Sequence, residues 1–421
     1  MALKETAPKE TEPTAPTPTG RTARPEARFA GLAALIGAAQ VGPFLERRLG
    51  QDAFRTRMAP NAVARLFGWS TLNGALAEHR LVPPRLRLER AGADISKAAF
   101  KSRRTRRGAV LQDLDPAALN EALRDGATLI VDAANELNAP LQRICADLSA
   151  EFACACQANL YACWGTTQGF DIHWDDHDVF VLQVEGRKRW LLYGSTLEAP
   201  TRRGGQFDQH RPEAPLQEII LEPGDVLYLP RGYWHAAVGL GGPTMHLTVG
   251  LTRKSGADFL HWLADRALTE PLARRDLPFE QDDEALGERL ASLLAQVAAE
   301  DPEELARAYR RHVEATQPQR PKLSFPFIGD ETELPDRARI RLADGAARVL
   351  DRGASVVLTW RGVEFTVSRD LKPALDELAA GEAISIAALE ATSPPAARPH
   401  LTAFVQEMLR RGAFLIEQEQ Q

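Results

Sequence analysis

The chain is 421 residues long, 44% hydrophobic and carries a formal net charge of -6. That length can hold two or three domains with cores of their own, and the acidic balance excludes a protein whose main task is gripping nucleic acid over a broad surface. The four cysteines, Cys145, Cys154, Cys156 and Cys163, crowd into one short stretch, which speaks against a disulfide framework and for a reducing, cytoplasmic setting.

Residues 1–27, rich in Pro, Thr, Glu and Ala, are expected to be a disordered arm, because they cannot bury enough apolar surface to offset their ordering entropy. They lack the apolar stretch of a signal peptide, and no segment of the chain has the roughly 18 consecutive apolar residues of a membrane span. Residues 28–108 are expected to be a helical N-terminal region. The runs FAGLAALIGAAQVGPFLERRL and PNAVARLFGWSTLNGALAEHRL place apolar residues three and four apart, with Asn61 a candidate cap and Gly50 a candidate stop. KSRRTRR, at 101–107, is a dense basic run that reads as a solvated loop or as a local nucleic-acid or ribosome contact. A helix entered at Asp115-Pro116 and closed by Gly126 comes next, then a short buried strand, ATLIVDA, and an amphipathic helix, ELNAPLQRICADLSAEF. From about 152 to 252 the apolar runs are short and cut by Gly, Pro and Asp, as in strands joined by turns. Helical periodicity returns over 253–316, and 317–336 is a Pro-rich linker. Residues 337–421 combine helices with two strand-like runs, ARIRLA and SVVLTWRGVEFTV, which suggests a winged-helix-like C-terminal domain.

The chemistry is written in NLYACWGTTQGFDIHWDDHDVFVLQVEGRKRWLLYG and LEPGDVLYLPRGYWHAAVGLGGPTMHLTVGL. If DIHWD is extended, His173 and Asp175 point to one face. His235, after the Leu227–Leu229 strand and a Pro-Arg-Gly turn, is the best third ligand. Two histidines and a carboxylate on one face of a metal leave three positions open, which suits non-haem Fe(II). A local alternative is a His173, Asp175 and His177 cluster holding zinc. Lys188 shares a strand face with Trp190 and Leu192. It is either a snorkelling lysine at a strand start or a buried cation awaiting a carboxylate. Asn159 and Tyr161, two apart, can hydrogen-bond that same carboxylate, and Thr248, two after His246, can do likewise. His246 reads as a core histidine or a group supporting the ligands. The cysteines lack the paired spacing of a zinc site and read as small buried residues.

Jointly, Asn159-x-Tyr161, Gln168-Gly169, His173-x-Asp175-Asp176, Asp178-Val179-Phe180, Gly186-Arg187-Lys188-Arg189-Trp190, Pro223-Gly224-Asp225 and Pro230-Arg231-Gly232 through His235 resemble the JmjC ribosomal oxygenases, cupin-like hydroxylases of ribosomal proteins. The resemblance implies an α+β fold with a double-stranded β-helix, or jelly-roll, core over 109–252. It implies a homodimer formed through the helical segment 253–316, and the winged-helix-like domain at 337–421. It also implies Fe(II) held by His173, Asp175 and His235, with O₂ and 2-oxoglutarate as cosubstrates. Lys188 and Tyr161 would anchor the distal carboxylate of 2-oxoglutarate, with Asn159 nearby, and the substrate would be a protein or peptide side chain. Neither a membrane nor nucleic acid is an expected partner. The chain departs from the family in the segment CWGTTQGFDI, which lacks the usual proline, and at Gly250, where a small hydroxylic residue is common. Two other function classes stand beside the oxygenase: a non-catalytic metal-binding cupin, and a transcription factor using the C-terminal domain. A JmjC-type demethylase is an alternative within the enzyme class.

Overall fold

The computed structural model describes residues 29–201, 211–317, 322–327, 338–343 and 347–417. The expected arm at 1–27 and most of the expected linker at 317–336 lie outside those residues. Helices at Ala30–Ile36, Val41–Arg47, Pro60–Leu66 and Trp69–Glu78 stand where apolar periodicity predicts them. Pro60 opens the third of these after Ala59, so Asn61 lies within the first turn and does not cap it.

The region 28–108 is not wholly helical. Strands β1 (Phe54–Arg57), β2 (Leu86–Arg90), β3 (Ala93–Asp94) and β4 (Phe100–Arg104) interrupt it. Each is short and rich in charge, so alternation along the strand is too brief to be seen; their order comes from pairing with other strands, a tertiary effect that overrides local propensity. Strand β5 (Val110–Leu114) closes a hairpin with β4. The helix Pro116–Arg124 follows, capped by Asp115, whose side chain accepts the Ala117 N–H at 3.0 Å. Next come β6 (Thr128–Val131) and the helix Ala139–Phe152, capped by Asn138.

The remaining strands of the core are β7 (Ala155–Cys163), β8 (Asp178–Glu185), β9 (Lys188–Ser195), β10 (Gln217–Leu221), β11 (Asp225–Leu229), β12 (Tyr233–Gly239) and β13 (Thr244–Thr252). Eight strands form one sheet in the order β1-β11-β8-β13-β7-β6-β2-β3, and β10-β9-β12 form a second sheet against it. The central strand β8, DVFVLQVE, is apolar on both faces because both are covered. Phe180, Leu182 and Val184 pack outward with Phe44, Leu86 and Leu247, whereas Val179 and Val181 pack inward with Trp190, Leu192 and Leu229. Antiparallel strands in two facing sheets make the expected jelly roll, and the added helices make the chain α+β.

The helices Gly256–Ala267, Asp283–Ala298 and Pro302–Thr316 follow the jelly roll. The C-terminal residues build a separate core around Leu375, Leu401 and Phe414. Its expected strand runs appear at Arg339–Leu342, Ser355–Trp360 and Val363–Ser368. The strands Arg348–Asp351, Ile384–Ser385 and Phe414–Glu417 were not legible in the sequence. Among the described residues, no helix is long and apolar enough to cross a membrane.

The chain passes from the large sheet to the small one at Gly186. Its φ is 63°, and a Cβ there would meet the Pro243 carbonyl oxygen at 2.1 Å. Gly186→Ala is therefore expected to destabilise the fold by more than about 1 kcal/mol. Gly74→Ala, in a helix with open space around it, should be neutral or stabilising by up to about 1 kcal/mol. Denaturant unfolding of the two variants checks this contrast.

Candidate metal centre

His173 lies in the irregular segment between β7 and β8, yet it forms an antiparallel bridge with His235 on β12. The His173 N–H donates to the His235 carbonyl at 3.1 Å, and the His235 N–H donates to the His173 carbonyl at 2.8 Å. Directly opposed residues send their side chains to the same face, and the two imidazole centroids are 4.4 Å apart. The register of β12 against β9 shifts between Trp234 and His235; a bulge of this kind re-aims a side chain. Asp175 is tied into the same rim, because its carbonyl accepts the Gly232 N–H at 2.9 Å from the Pro-Arg-Gly turn. His235 Nε2 and Asp175 Oδ2 are 3.7 Å apart. One ligand atom from each of His173, Asp175 and His235 lies within 4.8 Å of the others.

The proton positions on the rings follow from their partners. His173 Nδ1 is 2.8 Å from the Asp171 carbonyl, and His235 Nδ1 is 2.9 Å from the Tyr233 carbonyl. A carbonyl can only accept, so each Nδ1 carries the hydrogen and each Nε2 keeps its lone pair for a metal. Burial draws the His235 pKa down to about 4, against the pull of the Asp175 carboxylate. The ring is thus neutral at pH 7, the state a metal requires.

A cavity of about 300 Å³ runs from this triad between the two sheets. Lys188, Tyr161, Asn159 and Thr248 all line it, as the sequence reading expects. Lys188 is 5% exposed, and burial pushes its pKa down. No carboxylate pairs with it among the described residues; the Cys163 thiol is the group that acts on it. A buried cation without a counter-ion is costly, and this one faces a cavity. Burial, then Asp175 and Asp132, push the Tyr161 phenol up to about 12, so it stays protonated and able to donate. Asn159, two residues away on the same face of β7, accepts the Ala133 N–H at 3.0 Å and the Gln157 Nε2–H at 2.8 Å through its Oδ1.

The fold is that of solved ribosomal oxygenases. Two structures of Escherichia coli YcfD align with 90% of this chain and 98% of theirs: one at TM-score 0.56 and 19% identity, the other, in complex with cobalt and 2-oxoglutarate, at TM-score 0.55 and 20% identity. In sequence, the chain is 34% identical over 171 residues to ribosomal oxygenase 1 of Gallus gallus, covering 39% of this chain and 28% of that protein. It is 44% identical over 98 residues to the bifunctional lysine-specific demethylase and histidyl-hydroxylase NO66 of Drosophila persimilis, covering 23% of this chain and 14% of that protein. Residues 133–259 match the JmjC domain family. Residues 133–259 thus resemble a JmjC domain, and this chain spans less than a third of the length of these curated relatives.

The cavity wall also includes residues that sequence reasoning did not place there, His246 and, outside 133–259, Arg87 among them. His246, read as a core or supporting histidine, stacks on Tyr161 at 5.0 Å in the cavity wall, edge-on to Trp190 at 5.4 Å. Burial draws its pKa well down, and its Nδ1 has no hydrogen-bond partner among the described residues. Its two-residue offset from Thr248 on β13 was the available signal. Arg87 on β2 also lines the cavity and pairs with Asp132 at 3.0 Å. Nothing marked it beforehand, because β2 was not legible as a strand.

The zinc alternative fails on geometry. His177 Nδ1 hydrogen-bonds Asp176 Oδ1 at 3.1 Å, and among the described residues the one group that converges is His173, Asp175 and His235. The His177 ring instead occupies the space left by Gly250, where a Cβ would lie 2.8 Å from its Cδ2. The departure at 250 is thus filled by a neighbouring side chain. The four cysteines are free, and Cys145, Cys154 and Cys163 are buried; burial pushes the Cys154 thiol up to about 12, far from a ligating thiolate. Asp175→Ala should weaken Co(II) binding by more than the roughly 10–100-fold lost when a merely supporting partner is removed, with cooperative unfolding retained. A competitive metal titration measures this.

Proposed function

We propose that this protein is an Fe(II)- and 2-oxoglutarate-dependent oxygenase that hydroxylates a side chain of a protein, of the ribosomal-protein type, or of a ribosomally made peptide. The observation that carries the reading is the pairing of two features in one cavity: the three converging ligands at one end and the buried Lys188 further in. A donor set of two imidazoles and a carboxylate fits Fe(II) with positions to spare, and a buried cation without a carboxylate partner among the described residues fits a dicarboxylate. The cobalt and 2-oxoglutarate held by the YcfD structure support the same choice.

His173, Asp175 and His235 would hold the metal. Lys188 would bind the distal carboxylate of the cosubstrate through a charge-assisted contact, with the Tyr161 hydroxyl as a second donor and Asn159 nearby. Trp190, between His235 and His246, and Val179 and Val181 would keep water from the middle of the cavity. When bound, Fe(II) with 2-oxoglutarate and O₂ supplies the oxidation, yielding succinate and CO₂ while one oxygen atom enters a substrate C–H bond.

The direct test is twofold. Purified protein with Fe(II) should form succinate from 2-oxoglutarate in air. Mass spectrometry should find a polypeptide that is one oxygen lighter in a knockout than in wild type. Formation of formaldehyde from an N-methylated peptide would favour the second reading, demethylation, which the name of the Drosophila relative raises. Absence of 2-oxoglutarate turnover together with retained metal binding would leave a non-catalytic cupin. Lys188→Ala should raise the apparent KM for 2-oxoglutarate about 10–100-fold, from the loss of roughly 1.5–3 kcal/mol; initial-rate kinetics decide.

The proposal extends to a cytoplasmic homodimer formed through residues 253–316. Leu260, Leu268, Phe279, Leu290 and Leu294 are all exposed there, more apolar surface than a lone helical segment ordinarily shows. Leu294→Glu combined with Leu260→Glu should yield monomers in sedimentation, and an unchanged dimer would refute the assignment.

A further inference from the structure

The basic run at 101–107 lines no part of the cavity. It lies on β4 and in the turn that leads to β5, and these two strands form a hairpin that joins neither sheet of the jelly roll. The stem's charges are offset: Lys101 pairs with Asp115, and Arg103 with Asp113 at 2.6 Å. The tip is different. Arg104, Arg106 and Arg107 are exposed, and none has a carboxylate partner among the described residues.

The tip is also ordered. The Gly108 N–H donates to the Thr105 carbonyl at 3.0 Å, closing a β-turn with Arg106 and Arg107 at its two central positions. The Thr105 N–H donates to the Ala109 carbonyl at 2.9 Å, and Thr105 Oγ1 accepts the Ala109 N–H at 3.1 Å. Three uncompensated guanidiniums held in four residues repel one another and stabilise nothing within the fold. The rest of the chain is acidic, so the charge is local to this hairpin.

We propose that the β4–β5 hairpin is a nucleic-acid-binding finger that grips the phosphodiester backbone through Arg104, Arg106 and Arg107. A guanidinium fork matches phosphate oxygens two at a time. Charges recur at short, regular intervals along every nucleic-acid strand, so guanidiniums set within four residues can meet neighbouring phosphates. The contact is a small one, consistent with a composition that argues against a broad nucleic-acid surface. It is independent of the oxygenase reading, since no cavity residue takes part.

The test uses full-length protein and a fluorescent oligouridylate, followed by anisotropy over a series of salt concentrations. Wild type should bind with a log–log salt slope of about -2, as expected for roughly three neutralised phosphates on a single strand. R104Q/R106Q/R107Q should bind at least ten-fold more weakly, with that slope nearly abolished, while its unfolding midpoint and 2-oxoglutarate turnover match wild type. R103Q, at a position already paired, should change binding far less. Equal binding by the triple variant would overturn the proposal, as would wild-type binding without salt dependence. Competition by polyglutamate as strong as that by unlabelled RNA would also overturn it, in favour of an acidic protein partner.

Discussion

An irregular segment has no ladder of its own to fix its side chains, so the orientation of His173 depends on the two backbone hydrogen bonds it exchanges with His235. Those bonds join a loop to β12, which belongs to the smaller sheet. They do so at the point where a bulge turns His235 inward. Asp175 is held from the other side by the Gly232 amide. Each ligand is therefore positioned by backbone contacts, which side-chain substitutions elsewhere disturb little. The same arrangement sets the chemistry of the rings: each Nδ1 is committed to a carbonyl, so each Nε2 is committed to the cavity.

The cavity is electrically asymmetric along its length. Its mouth offers Asp175 and the imidazoles of His173 and His235, while its interior offers Lys188, a protonated Tyr161 and a neutral His246. Among the described residues, the buried Lys188 has no carboxylate partner and His246 Nδ1 has no hydrogen-bond partner. Such groups destabilise a fold unless a ligand satisfies them. A ligand with a carboxylate at its far end and oxygen donors at its near end satisfies both ends of the cavity at once.

The jelly roll and its site were largely legible because their signals are local. The two-residue offsets of Asn159 and Tyr161 and of Lys188 and Trp190 each report a strand face, the Pro-Gly-Asp and Pro-Arg-Gly turns mark strand ends, and His173 and Asp175 converge although their segment is irregular and not the extended strand their offset suggested. The exception was His246, whose core position and cavity position look the same in a strand pattern. The N-terminal strands were illegible for a different reason. FRTR and FKSRR carry no apolar period: β1 takes its order from β11, which the sequence places more than a hundred residues away, and β4 from β5, the other strand of its own hairpin. The basic run, read as a solvated loop or a local contact, is exposed, but residues 101–104 of it form strand β4, and only the structure separates its paired stem from a tip without carboxylate partners among the described residues. Likewise, only the structure shows that His177 fills the space at Gly250 and is not a ligand.

The measurement closest to the central claim is an anaerobic titration of the Fe(II)-loaded protein with 2-oxoglutarate, followed by visible charge-transfer absorption. Such a band arises only when a keto acid chelates the iron while protein ligands hold it. The account predicts that one equivalent per chain saturates the band in wild type and that no band forms when His235 is replaced by alanine. A band of undiminished intensity in that variant would show that the His173–His235 pairing does not build the metal site.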